Sequence, residues 1–144
     1  MRRLLTFATA LLALFVFFAL PSADAQMGRA MSVLVNNSSN IPVVVTGASL
    51  TGGVWEQVPA PGYAVAPRSS AQFVNRVGDP SGGLGGNLML SPGAGYVHAT
   101  WSWPAYQQQP GAFMSSFNMA GVFVGWSMEM GPNGPTLVIN VNPM

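Results

Sequence analysis

The run Gly95-Tyr96-Val97-His98-Ala99-Thr100-Trp101-Ser102-Trp103-Pro104 decides how this chain is read. On an extended backbone Tyr96, His98, Thr100 and Ser102 fall on one face, and Val97, Ala99, Trp101 and Trp103 on the other. Strict alternation over this length predicts a half-buried β-strand. Pro104 borders it, because proline has no N–H to give to a ladder, and Ala105 to Gly111 follows as a loop rich in proline and glutamine. Two of the four tryptophans therefore share one stripe. That stripe is either the wall of a core or a contact surface that leaves the core at the strand end, where amphipathic rings suit sugars and lipid headgroups.

Working outward, further strand-like runs follow. Ser32 to Asn36 is β-branched and apolar, and Asn37-Ser38-Ser39-Asn40 supplies side chains that favour turns by bonding to nearby backbone. Pro42 to Thr46 and Val54-Trp55 are extended, and Pro59 to Pro67, with three prolines, is expected to be an ordered loop crossing between sheets. Ala71 to Val77 places Phe73, Asn75 and Val77 on one side and Gln72, Val74 and Arg76 on the other. Leu88 and Leu90 mark a strand before Tyr96. After the loop, Ala112 to Phe117, Gly121 to Met130 and Thr136 to Asn142 each alternate, the second with Val122, Val124, Trp126, Met128 and Met130 on one side. About eight short strands with glycine and proline turns, and no helix pattern, predict an all-β fold. The expected form is a single β-sandwich of mainly antiparallel strands, since a long crossing loop suits sheet switching.

The chain opens with an address. Arg2 and Arg3 precede an apolar run, Leu4 to Leu20, and Ala23-Asp24-Ala25 offers a small-x-small cleavage site. This predicts a signal peptide over residues 1–25, removed on export, with an uncleaved anchor as the alternative. Residues 26–144 form the remaining domain, about 119 residues (144 less 25), which is enough for one core. Their charges are Arg29, Arg68 and Arg76 against Glu56, Asp79 and Glu129, so the exported part is formally neutral. Three unclustered arginines and no lysine exclude a nucleic-acid footprint, and they also exclude polybasic attraction to anionic lipid. With no cysteine the domain stands on its core without disulfides.

Catalytic chemistry has little to draw on. The exported part holds one histidine, His98, and three scattered carboxylates, so no acid–base pair has a recognisable spacing. Neither Gly47-Ala48-Ser49 nor Gly125-Trp126-Ser127 forms a nucleophile elbow. One histidine without cysteine cannot supply a zinc set, and His98 is expected to be an ordinary polar-face residue. Gly78 to Gly86 carries five glycines but no lysine-ending motif and no helix after it, so it is expected to be a connector rather than a phosphate cradle. No enzyme, metal or cofactor is expected.

The order of residues resembles a family. Asn36-Asn37 at a strand end, Ala48-Ser49-Leu50 before Gly53-Val54-Trp55, Pro67-Arg68-Ser69 leading to Phe73, Gly85-Gly86 opening a strand, and Trp101-Ser102-Trp103-Pro104 before a loop together resemble the aegerolysins and their bacterial crystal-protein relatives, from about Ser32 to Pro143. The insert Tyr106-Gln107-Gln108-Gln109-Pro110 has no counterpart in that pattern. The resemblance implies a small actinoporin-like β-sandwich that binds particular membrane lipids, of sphingolipid or sterol type. It also implies haemolytic or pore-forming activity that in many members needs a larger partner protein. It nominates Trp55, Trp101, Trp103 and Tyr106 for lipid contact. For Trp55 a core plug at a strand end is the equal alternative. A secreted lectin-like or surface structural module without lytic activity is the competing expectation, favoured by loops rich in Asn, Gln, Ser and aromatic residues.

Overall fold

Alternation of β-branched and polar residues builds the first strand of the computed structural model, which describes residues 28–144. The leader predicted over residues 1–25 lies outside the described residues. In β1 (Ala30–Asn37) Met31, Val33 and Val35 are fully buried, while Ser32, Leu34 and Asn36 face the other way, half-buried. The same period carries β2 (Val43–Gly52), β5 (Ser69–Arg76), β6 (Leu84–Pro92), β7 (Tyr96–Trp103) and β10 (Gly134–Pro143), whose inward stripes supply most of the core. Shorter or outer strands complete the set: β3 (Val54–Gln57), β4 (Ala64–Val65), β8 (Gly111–Phe117) and β9 (Val122–Gly131).

These strands form two five-stranded sheets, ordered β3-β5-β1-β10-β9 and β4-β2-β6-β7-β8. Every pairing is antiparallel except β1 with β10, which run parallel in the middle of the first sheet. The apolar stripes of the two sheets meet in one core of a β-sandwich, as expected, and no helix occurs among the described residues. Ten strands stand where about eight were expected. The sharpest addition is β4, two residues lodged inside the Pro59–Pro67 stretch, too short to show a period. That stretch does cross from the first sheet to the second, and it is tied down where Gly62 N donates to Val45 O and Val45 N to Tyr63 O, both at 2.7 Å.

The glycine-rich segment is also more ordered than a connector. β6 begins at Leu84, so Gly85 and Gly86 are buried strand residues. A Cβ on Gly86 would stand 2.6 Å from Ser49 O and 2.8 Å from Trp101 Cζ2. The missing side chain is what lets the indole of Trp101 lie against the neighbouring backbone.

Among the described residues three polar side chains are buried, and all are satisfied. Asn37 donates to Ile41 O (2.8 Å), Val65 O (3.0 Å) and Ala66 O (3.2 Å) and accepts from Ser39, so it holds the β1–β2 turn against β4. Asn75, on the inward stripe of β5, bridges the sheets. Its Oδ1 accepts from Trp101 Nε1 at 3.1 Å, and its Nδ2 donates to Gly52 O at 3.1 Å and Val54 O at 3.4 Å. Among the described residues two non-glycine positions have positive φ, Asn118 (54°) and Arg68 (57°). Asparagine tolerates that region, whereas for arginine it costs about 1–2 kcal/mol.

The Asn75 amide yields a stability test. Asn75→Leu strands the Trp101 N–H and the two carbonyls, and Trp101→Phe strands the Asn75 oxygen; each is expected to cost roughly 2–4 kcal/mol in urea denaturation. The double variant is expected to cost clearly less than the sum, since one removes what the other leaves unpaired. Strict additivity would show that the two groups do not act together.

Candidate functional site

The residues nominated from sequence gather at one end of the sandwich, where β1, β6, β8 and β10 begin and β5, β7 and β9 end. Trp101 lies in the core rather than on the surface: it is 3% exposed, packed on Gly86 and bonded to Asn75. Trp55, from β3 of the facing sheet, meets its edge at a centroid separation of 5.8 Å and an interplanar angle of 67°. Trp55 is half-buried and closes the core between the sheets. Two of the four nominated rings therefore form a cross-sheet pair that supports this end from inside.

The other two belong to its surface. Trp103, one stripe position beyond Trp101, is half-buried, and the Arg29 guanidinium stacks on it with Cζ 3.7 Å from the ring centroid. Arg29 also donates to the carbonyls of Gly82 (3.0 Å), Pro104 (3.1 Å) and Gln107 (3.1 Å). Trp103 Nε1 donates to that same Gln107 carbonyl at 3.0 Å, and Gln107 N closes a turn onto Pro104 O at 3.1 Å. Partial burial pulls the Arg29 guanidinium down from its usual range, which leaves it a cation. The loop after β7 is thus pinned by its own backbone carbonyls. Tyr106 stands out from it at 98% exposure, in a segment, Pro104 to Pro110, without a charged residue.

Beside the loop, Arg29, Arg76, Trp103 and the β9–β10 turn at Pro132 to Gly134 line a cleft of about 550 Å3. Arg76 is committed to Glu56, at 2.8 Å, and Arg29 to its three carbonyls and the indole. The cleft therefore carries positive charge that is already engaged. Met130, two residues before that turn on β9, is 57% exposed, whereas Phe113, 67% exposed, lies on the outward face of β8 opposite Thr100, beside a separate recess.

Titratable groups do not converge. His98 sits on the outward face of β7, opposite Met89 and Ser115, and Glu56 and Glu129 lie on β3 and β9. Asp79 occupies a turn in which Ser81 N–H and Oγ both donate to it, at 2.9 and 2.8 Å, and these bonds hold its carboxyl below the usual range. No group of three potential metal ligands occurs among the described residues.

Sequence reasoning missed two features. Arg29 was counted only as charge, because nothing in a lone arginine ahead of a strand says which ring it will cover. Trp126 was placed on one side of β9 with Val122, Val124, Met128 and Met130; Val122, Val124 and Met128 do pack on the core, but β9 is an edge strand and Trp126 is left 41% exposed.

No family model matches the chain, and no curated protein matches it in sequence. Among solved structures it is similar to IP-1A from Alcaligenes faecalis, with a TM-score of 0.62 at 15% identity, covering 83% of this chain and 94% of that one. It is also similar to the lipid binding protein Nakanori, with a TM-score of 0.65 at 10% identity, covering 86% of this chain and 76% of that one. At such identities the likeness establishes a shared β-sandwich fold.

Proposed function

We propose that this protein is a secreted, aegerolysin-like lipid-binding protein that meets membranes with its Trp103 end. One observation carries the proposal: an uncharged loop, pinned from beneath by Arg29 and Trp103, presents Tyr106 almost wholly to solvent. A ring that enters the headgroup region gains most when its backbone is ordered beforehand. Met130 adds an exposed apolar side chain beside the β9–β10 turn, and the Trp55–Trp101 pair supports this end from inside. The leader expected over residues 1–25 and the shared fold with a lipid binding protein support the same view. Sphingolipid or sterol selectivity, and lysis with a larger pore-forming partner, belong to the proposal as what the family resemblance implies.

Co-sedimentation with liposomes, with and without sphingolipid and sterol, is the test, using protein that lacks residues 1–25. Lipid-selective pelleting is expected, with little change on adding salt because the exported part has no net charge to be screened. Tyr106→Ala is expected to weaken pelleting by about tenfold, as loss of one inserted ring would, with an unaltered Tm. Arg29→Ala leaves Tyr106 in place but unpins its loop, so it is expected to weaken pelleting as well and to speed amide exchange at Gln108 and Gln109. Pelleting by no mixture would overturn the lipid-binding proposal and leave the lectin-like alternative, which retention on a glycan array would then support.

A further inference from the structure

At the opposite end of β1 a second recess is built from different chemistry. Asn36, Ser38, Arg68, Ser70 and Asn140 line an open cleft of about 380 Å3. Strand register sets Ser70, Asn36 and Asn140 in one row across β5, β1 and β10. Ser70 Oγ donates to Asn36 Oδ1 at 2.8 Å, and Asn36 Nδ2 donates to Asn140 Oδ1 at 3.0 Å. This relay uses the acceptor of Asn140 and leaves its amide N–H groups without a partner among the described residues. Arg68 adds a guanidinium that makes one side-chain bond, to Asn40 Oδ1 at 3.1 Å. Among the described residues the carboxylate ion pair is Arg76 with Glu56, so Arg68 has none. The cleft is rich in donors, carries one cation and is lined by no carboxylate.

The backbone gives a second indication. Arg68 has φ 57°, a conformation that glycine adopts freely and arginine does not. Strain of this kind persists where the surroundings hold it and gathers at sites of function. Arg29 differs in that its N–H groups are spent on three carbonyls.

We propose that this cleft binds a phosphate-ester oxyanion, with Arg68 as the cationic anchor and the amides of Asn140 and Asn36 as neutral donors. A guanidinium beside amide N–H groups matches the several acceptor oxygens of a phosphate. The proposal stands apart from lipid contact at the Trp103 end, since the two sites lie at opposite ends of β1 and share no residue.

The test is a titration of isotope-labelled protein with inorganic phosphate, phosphocholine and glucose 6-phosphate, following the side-chain resonances of Asn36, Asn140 and Arg68. Choline chloride and glucose serve as unphosphorylated controls. Saturable shifts with the phosphorylated probes alone, weakening as sodium chloride is added, are expected. Arg68→Gly is expected to weaken binding by about tenfold or more while Tm holds or rises, because glycine relieves the backbone. Asn140→Asp, which keeps the side-chain shape but adds a negative charge, is expected to abolish the shifts. Vesicles of phosphocholine lipid distinguish the source: line broadening at these three residues, retained in Tyr106→Ala, assigns the cleft to a lipid headgroup, and shifts with soluble esters only assign it to a free ligand. Equal response to phosphorylated and control probes would overturn the proposal. So would a fall in Tm with unchanged phosphate binding in Arg68→Gly, which would make Arg68 a structural tie to Asn40.

Discussion

The contact on which the sandwich depends is the hydrogen bond between Asn75 and Trp101. A β-sandwich core can be filled by aliphatic side chains alone, and most of this one is. An indole is different, because its N–H must find an acceptor when it is buried. Asn75 answers from the facing sheet and spends its own N–H groups on the carbonyls of Gly52 and Val54, where β2 hands over to β3. One amide thereby fixes the lateral position of the two sheets and the chain crossing between them. The aliphatic stripes cannot do this, since hydrophobic contact is not directional.

That constraint reaches the surface through β7. With Trp101 held, the next residue on its stripe, Trp103, leaves the core at a set place and height, and its N–H is left to fix a loop carbonyl instead of a core amide. Arg29 then adds the stacking and the remaining carbonyl bonds. The same side-chain type thus does opposite work two residues apart: one tryptophan locks the sheets, and the other locks the loop that carries Tyr106. A loop ordered in this way loses little freedom when it meets a surface, which is where a binding loop gains affinity.

Most of the fold was legible because period two was legible. The stripes of β5, β7 and β10 were read from alternation, and Asn75 fell on the side of Phe73, which the structure turns inward. What escaped has specific causes. β4 is two residues long and sits between prolines, so it exists only through its partner β2. Gly85 and Gly86 look like connector residues by composition, while the family resemblance already set them at the opening of a strand; in the structure they serve close approach. At the site, alternation assigned Trp101 and Trp103 to one stripe but could not say where the core stops. Nor could it pair Arg29 with Trp103, 74 positions apart (103 less 29), or bring Arg68 and Asn140, 72 apart (140 less 68), to the lining of one cleft.

The two ends of β1 differ in what is left of their arginine charge. Net charge describes attraction at a distance, and with three arginines against three carboxylates this domain has none to speak of. Recognition then depends on what each arginine has nearby. Arg76 is paired with Glu56, and Arg29 is engaged by carbonyls and an indole, so both cations at the Trp103 end have partners. Arg68 is held by one amide oxygen in a strained backbone, and its charge remains available. Three identical side chains therefore give an ion pair, a clamp and an open donor, and the distinction comes from the partners the fold brings to each.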